Sequence, residues 1–301
     1  MSQLIKEGSA GQDVRDLQRK LNTVLGLGLT IDGQFGPATT RAVRMYQTSI
    51  DELVVDGIVG PQTMASINRV YAQKADQYQG LGNGQFVIFV DAGHGGMDAQ
   101  GRYVTAGKRY YHEGIGDYYE GVKNREFAER FIRACTDLNI PCIRTYHPWR
   151  DTKLSKRVAT VEDWLKQGFS GYLHSFHSDA VPSDYSDELR ERTQGATVYT
   201  IGTEFSRMIA KEHMRNIRSA TNSEWTYRGV KDGNFQLLRD TDTGEWEFFG
   251  AILEEWGFHT SKADVSKYLL NSKGDEMRLH AAVETALSIY ELWKNQRQDG
   301  V

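Results

Sequence analysis

The chain contains little cysteine, no surplus of positive charge and no long apolar run. Its 301 residues include 2 cysteines, far fewer than a small disulfide-stapled scaffold would carry. There are 36 lysines and arginines against 40 aspartates and glutamates, a formal net charge of -4, so nucleic-acid partners are not expected. No apolar stretch reaches the roughly 20 residues that a membrane-spanning helix needs, so membrane insertion is not expected either. The length instead suits a chain of two domains.

Three apolar segments are expected to be strands of one sheet. Residues 85–90 form a continuous apolar run typical of a strand buried on both faces, and residues 171–176 and 251–255 are interpreted in the same way. Apolar residues at helical spacing occur near residues 127–138, 205–209 and 276–294. Strands that alternate with helices predict an α/β domain with a mostly parallel sheet flanked by helices. The cysteines, Cys135 and Cys142, fall at the end of a helix and in the next strand, where two buried free thiols are favoured over a disulfide.

The N-terminal part contains an internal repeat. Residues 32–39 (DGQFGPAT) recur as residues 56–63 (DGIVGPQT), and each copy is an Asp-Gly turn, an apolar residue, a glycine and a proline that enters a helix. Proline suits the first turn of a helix because its missing N–H is not needed there. An apolar stripe in residues 13–22 predicts a further helix upstream. Most of the repeated residues are expected to build turns.

Four short segments far apart in the chain carry histidines and glutamates of the kind found in metal sites. They are residues 91–96 (DAGHGG), 118–121 (YYEG), 175–180 (SFHSDA) and 253–258 (LEEWGF). Two imidazoles and one carboxylate form the ligand set of many catalytic zinc sites, and a further glutamate can carry the proton during hydrolysis. His94, His177 and Glu255 fall at or near the carboxyl ends of expected strands, where ligands of such sheets collect. The segments therefore predict a zinc hydrolase.

In these segments the chain resembles the zinc-dependent N-acetylmuramoyl-L-alanine amidases of the amidase-3 family, over roughly residues 85–295. The family segments D-x-GHGG, Glu-x-x-x-Asn, S-x-H-x-N-A and E-x-G-F correspond to residues 91–96, 120–124, 175–180 and 255–258. The resemblance implies that His94, Glu120 and His177 hold one zinc ion and that Glu255 is the general acid/base. It also implies cleavage of the amide bond between N-acetylmuramic acid and the L-alanine of the stem peptide by zinc-activated water.

Two departures from the family pattern affect this assignment. Asp179 stands where the family usually has asparagine, near the zinc but not expected to bind it. The connection formed by residues 97–119 is longer than usual and contains a competing carboxylate, Glu113. Glu120 is preferred as the ligand because an asparagine follows four residues later and the helical pattern continues beyond it.

Three further residues have alternative interpretations. Glu254 neighbours Glu255, and the two side chains of a strand point to opposite faces, so the E-x-G-F spacing selects Glu255. Arg228 belongs to residues 228–231 (RGVK), which look like a family element, and its planar fork suits a stem-peptide carboxylate. A surface ion pair is an equally good interpretation of this arginine. His174 is expected either to be packed or to support a ligand from outside the metal site, and the remaining histidines are not expected to bind metal.

The N-terminal repeat resembles the small three-helix peptidoglycan-binding domain that is attached to wall hydrolases. This predicts a peptidoglycan-binding domain at residues 1–70, a linker at residues 71–84 and the zinc amidase domain at residues 85–301. The linker is polar and ends in glycines, a composition typical of a flexible connection. Anchoring on an insoluble polymer raises the effective concentration of an enzyme at nearby bonds. Peptidoglycan is therefore the expected partner of both domains.

Residues 1–8 lack the charged and apolar regions of a secretory signal. The layout resembles that of bacteriophage endolysins, which implies a protein made in the host cytoplasm that acts on the cell wall after the membrane is breached. Three alternatives remain: a host amidase for wall remodelling, a zinc peptidase that cuts within the stem peptide, and a non-catalytic wall-binding protein.

Overall fold

The computed structural model describes residues 4–25, 29–50, 52–79, 85–96, 102–105, 108–147 and 151–298. The chain divides into two units, of which Met1–Gly82 forms most of the first and Tyr103–Val301 most of the second. Among the helices of the described residues, none has the length and apolar character needed to cross a membrane.

The N-terminal unit contains the three expected helices, α1 (Gln12–Leu25), α2 (Pro37–Thr48) and α3 (Pro61–Gln79). Both α2 and α3 begin at the proline of a repeat copy, as the sequence predicts. The apolar stripe of α1 is buried through Val14, Leu17 and Leu21. This unit is the predicted small all-α domain.

The sequence repeat corresponds to a repeated hydrogen-bonded turn. Gln18 Nε2 donates to Asp32 Oδ1 (2.8 Å), and the same glutamine accepts the Gly33 N–H (2.9 Å). In the second copy Gln47 replaces Gln18 and makes the same two bonds with Asp56 (2.8 Å) and Gly57 (2.8 Å). The two turn glycines have φ of 75° and 77°, a region that only glycine enters at little cost.

The structure corrects part of the linker prediction. Helix α3 continues to Gln79, so residues 71–79 are helical, whereas the sequence predicted a flexible connection there. This stretch is polar, but it has no glycine or proline before residue 80, and three glutamines, two alanines and one lysine among its nine residues favour a helix. The rest of the predicted linker, residues 80–84, lies outside the described residues.

The second unit alternates strands and helices. Its strands are β1 (Phe86–Ala92), β2 (Arg109–His112), β3 (Gly116–Tyr119), β4 (Cys142–Arg144), β5 (Ser170–Asp179), β6 (Ala196–Thr200), β7 (Tyr227–Asp232) and β8 (Phe249–Phe258). Its helices are α4 (Glu120–Asp137), α5 (Leu154–Leu165), α6 (Asp187–Arg192), α7 (Glu204–Ala220), α8 (Gln236–Thr241), α9 (Lys262–Asp264) and α10 (Ser272–Gln298). A π-helical turn, Val265–Leu269, follows α9.

Six of these strands form one sheet in the order β4-β1-β5-β8-β6-β7, and β2 pairs with β3 in a separate hairpin. Neighbouring strands are parallel except for β6 and β8, which are antiparallel. The predicted mostly parallel sheet flanked by helices is confirmed. The register between β5 and β8 shifts between His177 and Asp179, where β8 has one more residue than β5, so the regular pairing is interrupted beside the second expected histidine ligand.

Alternate residues of the central strands face two different layers. Ile88, Phe176 and Ile252 belong to a core with residues of α4, α7 and α10. Leu173 and Leu253 are buried but belong to the opposite faces of β5 and β8. The two cysteines, on α4 and β4, are buried free thiols as expected.

Candidate metal and active site

The turn after β1 presents His94 through an uncommon backbone conformation. His94 has φ of 63°, a left-handed value that costs a non-glycine residue free energy and is found preferentially at functional sites. The preceding residue must be glycine, because a Cβ atom at Gly93 would lie 2.0 Å from His177 Cε1. The backbone of this turn therefore leaves the space that the second histidine occupies.

His94, Glu120 and His177 converge, although 26 and 57 residues separate the glutamate from the two histidines. His94 Nε2 and His177 Nδ1 each lie 3.2 Å from Glu120 Oε1. One ligand atom from each of the three residues lies within 4.8 Å of the other two. Glu120 Oε2 is buried and has no hydrogen-bond partner among the described residues. Two imidazoles, one carboxylate and this spare buried oxygen fit a divalent metal ion of the zinc type.

Glu120 is the first residue of α4 and is almost fully buried. Its N–H donates to the carbonyl of Lys108 (3.1 Å), which fixes the start of the helix against the residue before β2. Burial by itself would raise the pKa of Glu120, but hydrogen bonds from His177 and His94 hold it well below the ordinary value. The competing carboxylate, Glu113, lies exposed in the turn between β2 and β3 and is not part of the cluster formed by the two histidines and Glu120.

Glu255 faces the cluster from β8, where it is the register partner of His177 on β5. Burial, with the negative charges of Asp179 and Glu120, raises the pKa of Glu255 well above the ordinary value for a glutamate. Its Oε2 has no hydrogen-bond partner among the described residues. Glu255 is a buried carboxyl group that lines a cavity beside a set of metal ligands. In this position it is suited to accept and return a proton.

A cavity of about 640 Å³ opens onto these four residues. Asp179, which stands in the position of the family asparagine, also lines it, and burial raises the pKa of this aspartate. Lys108 lines the cavity from the longer connection formed by residues 97–119 and is half-buried. The connection that departs from the family pattern therefore contributes a cation to the walls of the site.

A buried ion pair supports the turn after β1 that carries His94. The sequence did not predict this pair. Arg157 of α5 donates to Asp91 Oδ1 (2.7 Å) and to the carbonyl of His94 (3.0 Å). Ser175 Oγ donates to Asp91 Oδ2 (2.6 Å), which ties the end of β1 to β5. Burial disfavours the Asp91 carboxylate, but Arg157, Ser175 and Thr145 hold its pKa below the ordinary value. Arg157 is one polar residue in a helical pattern, so no sequence signal singled it out.

Arg228, His174 and His259 do not belong to the His–Glu–His cluster. Arg228 on β7 is exposed and lies over the ring of Phe258, 5.0 Å from its centroid, and it does not line the cavity. His174 is fully buried, as expected, and stacks on Phe176 at 4.1 Å between ring centroids. His259 was not expected near the site, yet its Nδ1 lies 4.0 Å from Glu120 Oε2.

The fold and the site define an α/β protein with a His–Glu–His cluster able to hold a metal ion at the carboxyl ends of parallel strands. The chain belongs to the N-acetylmuramoyl-L-alanine amidase family, whose model matches residues 88–288. Residues 10–67 match a second model, described as a putative peptidoglycan binding domain.

Curated relatives match over shorter stretches. A zinc D-Ala-D-Ala carboxypeptidase of Streptomyces albus G is 45% identical over 74 residues, which cover 24% of this chain and 28% of the relative. A spore cortex-lytic enzyme of Halalkalibacterium halodurans is 40% identical over 67 residues, 22% of this chain and 20% of the relative. The chain thus spans only about a quarter of the length of these relatives.

Solved structures resemble the chain over most of its length. An N-acetylmuramoyl-L-alanine amidase from Clostridium difficile 630 covers 69% of this chain and 98% of its own, with a TM-score of 0.55 and 20% identity. The amidase AmiC2 of Nostoc punctiforme covers 71% and 99%, with a TM-score of 0.52 and 19% identity. At these identities the likeness establishes a common fold.

Proposed function

We propose that the protein is a zinc-dependent peptidoglycan hydrolase that cleaves the amide bond between N-acetylmuramic acid and the L-alanine of the stem peptide. The observation that carries this proposal is the meeting of His94, Glu120 and His177 with Glu255 at one cavity, inside the region that matches the amidase family. One proton-carrying carboxylate beside a three-residue ligand set is the arrangement that metal-assisted hydrolysis of an amide needs.

The proposed roles follow from chemistry and position. His94, Glu120 and His177 would hold the zinc ion, which when bound supplies Lewis acidity to activate water and polarise the scissile carbonyl. Glu255 would take the proton of the attacking water and return it to the leaving nitrogen, because an amide nitrogen leaves poorly unless it is protonated. Arg228, which lies outside the cavity, would bind a carboxylate of the stem peptide.

The N-terminal unit is proposed to hold the protein on its substrate. Residues 1–70 would bind peptidoglycan, while residues 85–301 would cleave it, so that the enzyme stays near successive bonds. The match of residues 10–67 to a peptidoglycan binding model supports this division of roles. Activity at the cell wall follows from the proposed substrate, whereas release from a bacteriophage-infected host stays a prediction.

Mass spectrometry of purified peptidoglycan after incubation with the protein, with and without a zinc chelator, tests the function. We expect stem peptides that begin at L-alanine, glycan strands free of peptide, and loss of both products with the chelator. Cuts inside the stem peptide would replace the amidase with a peptidase. An undigested wall that retains the zinc-loaded protein would instead indicate a wall-binding role.

A further inference from the structure

A buried polar network lies on the opposite face of the sheet from the candidate site, directly behind it. It consists of Glu254 on β8, Arg278 on α10 and His213 on α7, all at most 3% exposed. Glu254 Oε1 accepts from Arg278 Nε, and Glu254 Oε2 lies 2.7 Å from His213 Nε2. Burying a charged pair in an apolar core costs free energy that apolar side chains of similar size would not incur. Stability alone therefore does not explain this network.

Arg278 connects the network to the candidate site. Its Nη2 donates to the backbone carbonyl of His177 (3.1 Å), next to the register shift between His177 and Asp179. A carbonyl beside such a shift needs a partner outside the regular ladder, since a buried unpaired backbone group is costly. The guanidinium of Arg278 supplies that partner and thereby fixes the strand residue that carries the second metal ligand.

Arg278 itself is held tightly in place. Its guanidinium lies 4.1 Å from the ring centroid of Phe127 and 5.5 Å from that of Phe176. Glu254 is anchored in turn by His213, whose Nδ1 lies 2.9 Å from Thr285 Oγ1. The network therefore joins α7 and α10 to β5 and β8, the two strands that carry His177 and Glu255.

A second metal ion is an alternative occupant of this region, because Glu254, His213 and His174 also offer ligand atoms within 4.8 Å of one another. Arg278 argues against it. The guanidinium already neutralises the single carboxylate, so a divalent ion would add two uncompensated positive charges to a fully buried position.

We propose that Arg278 and Glu254 are positioning residues that hold the backbone of His177 for metal binding and that of Glu255 for proton transfer. The planar fork of Arg278 contacts Glu254 and the His177 carbonyl at the same time, which the single ammonium of a lysine cannot reproduce. Outer contacts of this kind set the orientation of a ligating imidazole, and their loss costs about 10- to 100-fold in metal affinity. The inference rests on the proposed function only for the identity of the metal.

The test compares Arg278→Lys and Glu254→Gln with a matched control, Glu129→Gln. Glu129 also pairs with an arginine, since Arg144 Nε donates to it (2.8 Å), but Arg144 lies on β4 at the far edge of the sheet. All proteins are first shown to be folded by circular dichroism. The zinc dissociation constant is measured by chelator competition, and the histidine-ring resonances of the metal-free proteins by NMR.

We expect Arg278→Lys to raise the zinc dissociation constant about 10- to 100-fold and to move the His177 ring signals, with Glu129→Gln unchanged in both. Glu254→Gln should act in the same direction and serves as the test if Arg278→Lys does not fold. Unchanged zinc affinity and His177 signals in a folded variant, accompanied only by a lower melting temperature, would overturn the proposal. So would two zinc ions per wild-type chain with one lost in Glu254→Gln. The NMR comparison needs no metal, and wild-type digestion reports separately on the proposed function.

Discussion

At the scale of the single residue, neighbouring groups determine both the space available in the candidate site and the pKa values of its carboxyl groups. Gly93 is required by the ring of His177, and the pKa values of Glu120 and Glu255 are moved in opposite directions inside one cavity. Hydrogen bonds from two histidines favour the charged form of Glu120, while burial and neighbouring carboxylates favour the neutral form of Glu255. A charged ligand and a proton carrier thus arise from the same residue type.

Glu255→Gln should keep zinc and wall binding but lower the turnover number by about 10²- to 10⁴-fold, because an amide cannot carry the proton. The measurement is release of L-alanine-terminated peptides together with zinc content. Glu245→Gln, an exposed glutamate, is the control and should behave as wild type. Undiminished turnover in Glu255→Gln would remove this residue from the mechanism.

His177→Ala should lose most of the bound zinc, since it removes one of three protein ligands. Zinc per chain after dialysis, measured by plasma mass spectrometry, checks this. His280 is an exposed histidine on α10, and His280→Ala should retain full occupancy. Full occupancy in His177→Ala would refute its role as a ligand.

Because of His174, the free energy of unfolding of the protein is expected to depend on pH. Burial, reinforced by the nearby His213, lowers the pKa of His174 to about 4, whereas an unfolded histidine titrates near 6.5. Because the unfolded chain takes up the proton first, this contribution to stability is complete above about pH 6.5 and is lost as the pH falls towards 4. Between pH 7.5 and pH 5 the free energy of unfolding should fall by about 2 kcal/mol on this account.

Urea unfolding at the two pH values measures this loss, with His174→Phe as the comparison. The variant should lose about 2 kcal/mol less than wild type over the same interval. An equal pH dependence in both proteins would show that other groups govern acid sensitivity.

At the scale of the element, the sequence predicted those parts of the fold that follow from local pattern. The strands that carry His177 and Glu255, the helix that opens at Glu120 and the prolines that begin α2 and α3 all follow from apolar period and turn chemistry. The register shift between β5 and β8 and the antiparallel pairing of β6 with β8 depend on contacts between distant segments, which no local pattern encodes. The burial of His213 does follow from local pattern, because it lies four residues from both Ile209 and Ile217 on the buried stripe of α7.

The convergence of the candidate site residues could be predicted from motifs, whereas the residues that support them could not. His94, Glu120, His177 and Glu255 stand in short motifs whose order is informative, so their convergence could be anticipated. Arg157 and Arg278 contact the site from helices far along the chain and belong to no motif. Their roles depend on backbone carbonyls that face them only after folding.

The repeated turns of the N-terminal unit should each contribute to its stability. Gln18→Ala and Gln47→Ala remove corresponding buried hydrogen bonds and should each lower the free energy of unfolding of this unit by about 1–3 kcal/mol. Calorimetry of the full chain, which follows the transition of this unit, is the measurement. Gln62→Ala, at an exposed side chain, should change it by less than about 0.5 kcal/mol.

At the scale of the whole molecule, the two units match two different family models. A protein without residues 1–82 should therefore still cleave small soluble muropeptides but should sediment less with insoluble wall. Pelleting with purified walls and cleavage of soluble fragments measure the two properties separately. Loss of soluble cleavage in a folded truncated protein would contradict the division of roles between the units.

The close approach of the His177 ring to Gly93 also bears on how related sequences are interpreted. A sequence with this fold that carries any side chain at the position of Gly93 has no room for the second histidine in its present place. Such sequences are candidates for proteins that kept the architecture and gave up the reaction, even where all three ligand residues remain. Glycine at this position is therefore a requirement of the present ligand geometry that can be checked in a sequence before any protein is made.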